Sequence, residues 1–261
     1  MDLHLDGKIA VVTGASKGIG LAITERLTEA GAHVVAGART RSDRIAELVS
    51  DGSVTFVPGD LAGAEAPAAL VAAAALLGGT DILINNAGAV TPRPDGFTSV
   101  TDEDWESAWT LGMMAAVRTT RAAIPEMLRR GGGAIVTIGS VNAFFPDPGV
   151  VDYSAVKAAL TNLTKALSKE FGPHGIRANS ISPGPVRTDL WLGSGGVAET
   201  VAKASGSSAQ EVADQAVAGT PTGRFTTPDE VADLALFLAS DRAANITGAD
   251  MAIDGGFITT V

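Results

Sequence analysis

The chain has 261 residues, 46% of them hydrophobic and 18% charged, a composition that can build a large apolar core and that excludes extensive disorder. Its formal net charge of −10 argues against nucleic acid and anionic membrane surfaces as partners. With no cysteine there is no disulfide framework and no thiolate metal site; no metal centre is expected, and a cytoplasmic setting fits.

Short β-branched runs alternate with helical spacings along the whole sequence. KIAVVT (8–13) predicts a first strand ending in glycines, and Ile19, Ile23 and Leu27 share one side of a helix over 19–30. HVVAG (33–37) is a second strand and 42–50 a second helix. VTFVPG (54–59) is a third strand closed by Pro58-Gly59. The tract APAALVAAAALL (66–77) is too short to cross a bilayer and reads as a buried alanine-rich helix over 65–77. The opening MDLHLDGKIAVVTG places two acids before its first apolar run, unlike a secretory signal. DILIN (81–85) is a fourth strand. One or two helices span 102–130, beginning at the cap-like Thr101-Asp102-Glu103-Asp104. AIVTIG (134–139) is a fifth strand, 152–171 a long helix and IRANSIS (176–182) a sixth strand. A helix over 228–239 has Thr227 as its cap and Pro228 in its first turn, and ADMAID (249–254) is the last strand.

Apolar strands separated by helices imply an α/β fold. The expected architecture is a doubly wound parallel sheet, Rossmann-like, of about seven strands with helices on both faces. No linker divides the sequence, so a single domain over 1–261 is expected. The Gly/Ser/Ala-rich stretch 189–226 interrupts the alternation at the carboxyl ends of the strands, where ligands bind in such sheets, and is read as a substrate lid.

TGASKGIG (13–20) carries the chemistry at the first strand. Gly14, Gly18 and Gly20 are spaced G-x3-G-x-G between a strand and a helix. Such glycines let backbone approach a pyrophosphate at a helix N-terminus. NAD-preferring sites usually carry an acid at the end of the second strand to hold the ribose hydroxyls. Here that strand ends Ala36-Gly37-Ala38-Arg39, with no acid before Asp43. Arg39 and Lys17 could each pair with a 2′-phosphate, so NADP(H) is favoured over NAD(H).

DYSAVKAA (152–159) holds the only tyrosine, with Lys157 four residues after Tyr153 and so on the same helix face. A free phenol has a pKa of ~10, and a neighbouring cation favours its ionisation. That gives the spacing a reason beyond a helix surface with one aromatic and one solvated cation.

TGASKGIG, NNAG (85–88), Ser140 after the fifth strand, Tyr153-x-x-x-Lys157 and PGPVRT (183–188) occur in order. Together they resemble the short-chain dehydrogenase/reductase family in its roughly 250-residue form, over nearly the whole chain. The resemblance implies a ketone or aldehyde reductase, or a secondary-alcohol dehydrogenase, working by hydride transfer. Tyr153 would be the general acid or base, Lys157 its partner and a ribose contact, and Ser140 the group holding the substrate oxygen. It implies cofactor contacts from Gly14, Ser16, Lys17, Gly18, Ile19, Gly20, Arg39, Asp60, Leu61, Asn86, Ala87, Gly88, Tyr153, Lys157, Pro183, Gly184, Val186 and Thr188. It also implies a homotetramer built on 102–130, 152–171 and the C-terminal strand. His4, His33 and His174 fall outside every motif.

One position departs from the family pattern. Seven residues after Trp105, where an asparagine usually helps hold a relay water, WESAWTLGMM places Gly112. The alternatives are that water fills the gap, that the relay is slower, or that the register differs by a residue or two. A catalytically weak dinucleotide-binding sensor or scaffold therefore stays open beside the enzyme, while a sugar-nucleotide epimerase is disfavoured by chain length and glycine spacing. For the substrate, Trp191, Leu192 and Phe225, with Phe144 and Phe145, suggest an apolar or cyclic carbonyl compound.

Overall fold

The computed structural model describes residues 3–259. Seven strands form one parallel sheet: β1 (Ile9–Thr13), β2 (His33–Ala38), β3 (Val54–Pro58), β4 (Ile82–Asn85), β5 (Gly133–Ile138), β6 (Ile176–Pro183) and β7 (Asp250–Ile253). Their order is β3-β2-β1-β4-β5-β6-β7, so the winding reverses between β1 and β4. Adjacent strands register Val11 with both Val35 and Leu83.

Period-two alternation divides each strand between two cores. Ala10, Val12, Val34 and Ala36 face one side, covered by Ile23 and Leu27 of α1 (Gly18–Glu29) and Ile45 and Leu48 of α2 (Asp43–Ser50). The same layer takes Val231, Ala235 and Leu238 from a late helix over Pro228–Ala239. Val11, Val35, Leu83 and Ile135 face the other side. They meet Leu70 and Ala74 of α3 (Glu65–Leu76), an α4–α5 pair (Asp102–Trp109 and Ala115–Arg130) through Ala123 and Met127, and Leu167 and Phe171 of α6 (Val151–Phe171). Burying each large side chain of this kind stabilises the fold by about 1.5–3 kcal/mol.

The helix predicted as one or two segments over 102–130 is a pair joined by a π-helical turn, Thr110–Met114. α4 starts at a capping box between Thr101 and Asp104 and buries none of its residues. α5 ends at Gly131, whose φ of 82° is the left-handed conformation glycine favours.

Between β6 and β7 the chain makes its longest excursion: α7 (Asp189–Leu192), α8 (Val197–Ser205), α9 (Ala209–Ala218) and then α10, the Pro228–Ala239 helix. Thr227 caps α10 in a box with Glu230, as the Thr-Pro start predicts. The excursion is pinned at its stem. Val186 bridges Thr226, the Arg187 amide donates to the Thr226 carbonyl (2.9 Å), and the Thr226 amide donates to the Pro185 carbonyl (3.0 Å). Above that stem, Ala198, Ala213, Val217 and Phe225 make a small apolar cluster of their own, with Trp191 packed against it.

Candidate active site

A cleft of about 750 Å³ opens at the carboxyl ends of the strands. It is lined by the β1–α1 turn, the ends of β2 and β3, the NNAG turn, the residues after β5, the first turns of α6 and the segment following β6.

The turn after β1 is held by close approach. Gly14 has φ +68°, and a Cβ there would sit 2.9 Å from Asn86 Nδ2; a Cβ on Gly20 would lie 2.2 Å from the Gly14 carbonyl oxygen. Asn86 ties the two turns together. Its Nδ2 donates to the Thr13 carbonyl (2.9 Å) and the Gly14 carbonyl (3.2 Å), and the Asn86 and Ala87 amides donate to Thr13 Oγ1. Gly20 is thus held by close packing and does not itself line the cleft. Every other residue expected to touch a cofactor, from Gly14, Ser16, Lys17, Gly18 and Ile19 through Arg39, Asp60 and Leu61 to Asn86, Ala87 and Gly88, lines the cleft. So do Pro183, Gly184, Val186 and Thr188.

The residues present suit a dinucleotide. α1 begins at Lys17 with no side-chain cap and no acid in its first turn. Its leading N–H groups, which no preceding turn can satisfy, are available to an anion. Lys17 and Arg39 are exposed at this end of the cleft, and neither forms an ion pair within 4.0 Å among the described residues.

At the opposite end, Ser140, Tyr153 and Lys157 meet. Lys157 is 5% exposed, and its Nζ donates to the Ile138 carbonyl at 2.6 Å. Burial lowers the lysine pKa to about 8. The ammonium lies over the Tyr153 ring, 5.5 Å from its centroid. Burial pushes the Tyr153 phenol up, and a hydrogen bond with Ser140 offsets part of the rise. This modifies the expectation that the lysine governs the phenol: burial dominates, and the named counterweight is Ser140. The Ser140 hydroxyl accepts the Asn142 amide (3.2 Å), which leaves its own proton free to donate toward the phenol or a substrate oxygen.

The first turn of α6 is fixed from outside. Asp152, 2% exposed, accepts the Tyr153 amide with Oδ1 (3.0 Å) and takes Arg93 Nη2 (2.5 Å) and Nε (3.2 Å) on Oδ2. Arg93 also pairs with Asp104 at 2.9 Å, and its amide donates to the Gly149 carbonyl at 2.7 Å. Its guanidinium is held charged above the usual arginine range, chiefly by Asp152. Sequence reasoning did not find this clamp, because nothing in the spacing of residues 93, 104 and 152 announces it.

Gly112 lies in the π turn, buried against α6. A Cβ there would meet Val156 Cγ1 at 2.5 Å. Val156 thus occupies the space that the Cβ of a side chain at 112 would need.

The apolar lining differs from expectation in detail. Trp191 and Phe145 line the cleft, but Leu192 faces solvent, Phe144 lies outside the lining, and Phe225 is buried edge-to-face against Trp191 at 5.7 Å. Their places are taken by Leu190, Val197 and Phe257, the last packed edge-to-face on Phe145 with centroids 5.7 Å apart. Phe257 is not among the residues expected at the cleft, and only the return of the chain end to the sheet edge brings it here.

A family model described as Enoyl-(Acyl carrier protein) reductase matches residues 14–258. The chain is 36% identical over 261 residues to Dehydrogenase/reductase SDR family member 4 of Homo sapiens, covering 97% of this chain and 88% of that protein. It is 36% identical over 263 residues to D-beta-hydroxybutyrate dehydrogenase of Rhizobium meliloti (strain 1021), covering 96% and 98%. Among solved structures, L-sorbose reductase from Gluconobacter frateurii, complexed with NADPH and L-sorbose, superposes with a TM-score of 0.91 at 36% identity over 100% of both chains.

Proposed function

The chain belongs to the short-chain dehydrogenase/reductase family, and from that premise we propose that it is an NADP(H)-dependent oxidoreductase that reduces a ketone or aldehyde, or oxidises a secondary alcohol, through Ser140, Tyr153 and Lys157. The observation that carries this reading is the shared cleft: an uncapped helix start flanked by Lys17 and Arg39 at one end, and a buried lysine beside a phenol at the other.

When bound, the nicotinamide supplies or accepts the hydride. The protein handles the proton. In reduction, the Tyr153 phenol gives its proton to the carbonyl oxygen as the hydride reaches the carbonyl carbon. The Ser140 hydroxyl donates a hydrogen bond to that oxygen and holds it against the phenol. A phenol pushed up by burial stays protonated near neutrality, the form an acid needs. In oxidation the steps reverse: Tyr153 starts as the phenolate and takes the proton of the alcohol, and that starting charge is steadied by Lys157, whose Nζ lies over the ring.

Arg39 carries the preference for NADP(H): it stands at the end of β2 without an acid beside it and without an ion-pair partner to release. NADPH in the L-sorbose reductase complex supports a nicotinamide cofactor of this type. The pinned excursion over 189–226 acts as the substrate lid. The chain assembles as a homotetramer, for which the exposed Trp109 and Leu128 of the α4–α5 pair and the edge position of β7 give support; light scattering of the purified protein tests this.

Replacing Tyr153 with Phe is the decisive test. Turnover of a carbonyl compound with NADPH should fall by about 10²- to 10⁴-fold, the usual worth of a positioned acid, with NADPH binding nearly intact. Turnover retained near the wild-type rate would remove Tyr153 as the acid.

A further inference from the structure

Beside the cleft lies a second chamber of about 720 Å³, to which no role attaches in the reading above. It is an open groove between the loop after β4, the loop before α6 and the facing sides of α8 and α9. The two spaces adjoin: Asp147, Pro148, Val150, Trp191, Val197 and Ala216 line both. They meet on the substrate side, near Tyr153, and not at the Lys17–Arg39 end.

The chemistry of the chamber is neutral. Its walls are chiefly Pro92, Pro94, Val201, Ala204 and Val212 together with the shared Val150 and Trp191, with the exposed, uncharged Ser207 and Gln215 also contributing. Arg93 reaches the wall, but its guanidinium is committed to Asp152 and Asp104, so it offers no free cation. Asp147 adds a negative charge, with one oxygen already accepting the Gly149 amide. The Ser205 hydroxyl is spent on the Val201 carbonyl. A carboxylate in this space would meet no free cation and face Asp147, which disfavours it. A hydrocarbon chain would only shed water from apolar walls.

We infer that this chamber is a second substrate subsite, which takes a neutral, mainly hydrocarbon substituent of a carbonyl compound whose reacting carbon sits at Tyr153. The inference rests on the proposed function and narrows its substrate class: the chain prefers ketones or secondary alcohols with an uncharged apolar arm over small charged or compact polar ones.

The test is a series of methyl ketones from butan-2-one to nonan-2-one, with the carboxylate-tipped 8-oxononanoate, assayed with NADPH in wild type, Ala204→Trp and Val201→Asp. Ala204 is exposed on α8 and lies outside the main cleft, so a bulky residue there narrows the chamber without touching the reacting end. In wild type, KM should fall by up to about fourfold per added methylene, the size of one buried CH₂. Ala204→Trp should flatten the series beyond its short members while butan-2-one keeps kcat/KM within about twofold of wild type. Val201→Asp should do the same by charge, which guards against a tryptophan that finds another rotamer. A series flat in wild type, or 8-oxononanoate used as well as nonan-2-one, overturns the inference and leaves the oxidoreductase reading standing. Failure of every ketone to oxidise NADPH overturns both.

Discussion

Helices α1 and α6 both begin at the cleft without a side-chain cap, and they differ in what the first turn carries. α1 starts at Lys17 with no side-chain cap and no acid in its first turn, whereas α2, α4, α9 and α10 are capped by Ser42, Thr101, Ser208 and Thr227. α6 carries Asp152 in its first turn, and both oxygens of that carboxylate are occupied. An open helix start is a place for someone else's charge. A closed one keeps its own side chains still. The two ends of this cleft thus divide the labour of an oxidoreductase: one receives an anion, the other holds an acid in place.

The contrast breaks first at Arg93. Removing it by Arg93→Ala leaves Asp152 buried without its cation, and loss of one partner of a buried pair costs about 3–5 kcal/mol. Chemical denaturation should show that loss. Turnover should fall about 10- to 100-fold through a misplaced Tyr153, with little change in affinity for NADPH. Arg93→Lys should recover part of both. A variant as stable and active as wild type would mean that the first turn of α6 needs no external clamp.

At the other end, Arg39→Glu supplies the acid that β2 lacks. If Arg39 meets the 2′-phosphate, KM for NADPH should rise about 10- to 100-fold, the range of a lost charge-assisted contact, and KM for NADH should fall. Unchanged discrimination between the two would place the selectivity elsewhere.

Lys157 sharpens the comparison through pH. Its folded pKa, lowered to about 8 by burial, lies below the ordinary lysine value of 10.5. Between those values the unfolded chain binds more protons, so wild-type stability rises with pH across that window relative to Lys157→Met. Below pH 8 the cost of the buried charge is fully felt, and the cofactor-free Met variant should be the more stable protein. By pH 10.5 that advantage should be gone. A stability difference independent of pH from 7 to 10.5 would show that the ammonium is not strained by burial.

The two ends also differ in how far the sequence reveals them. The α1 end was legible because its parts are local: glycines at fixed spacing, a β-branched run before them, and an arginine in place of an acid four residues past Val35. The five inner strands were legible for the same reason, since burial on both faces leaves unbroken apolar runs such as IAVVT and ILIN, while β3 and β7 at the sheet edges are only partly buried. Tyr153 and Lys157 could be paired because helix periodicity alone places them together. What surrounds them could not. Arg93 reaches Asp152 across 59 residues and Phe257 reaches Phe145 across the whole second half of the fold. Leu192 and Trp191 are sequence neighbours in the same short helix, but only the packing of α7 decides which of them faces the cleft. Contacts of that kind depend on crossovers that carry no local pattern.

Gly112 gives the smallest and most discriminating test, because two effects of similar size oppose each other there. Glycine inside a helix costs up to ~1 kcal/mol against alanine, so Gly112→Ala should stabilise on backbone grounds alone. A Cβ at that position, however, meets Val156 Cγ1 at 2.5 Å, and overpacking of this sort costs about 1–3 kcal/mol. The second effect is the larger, so Gly112→Ala should be destabilised by about 0–2 kcal/mol. In a Val156→Ala background the clash is gone and only the backbone gain remains, so the same substitution should there become stabilising. A change of sign between the two backgrounds, read as a double-mutant cycle, would establish that Val156 fills the room denied to residue 112. The same sign in both would put the cause in the π turn itself, which already departs from α-helical geometry at this point, and would free Val156 of any part in keeping residue 112 small.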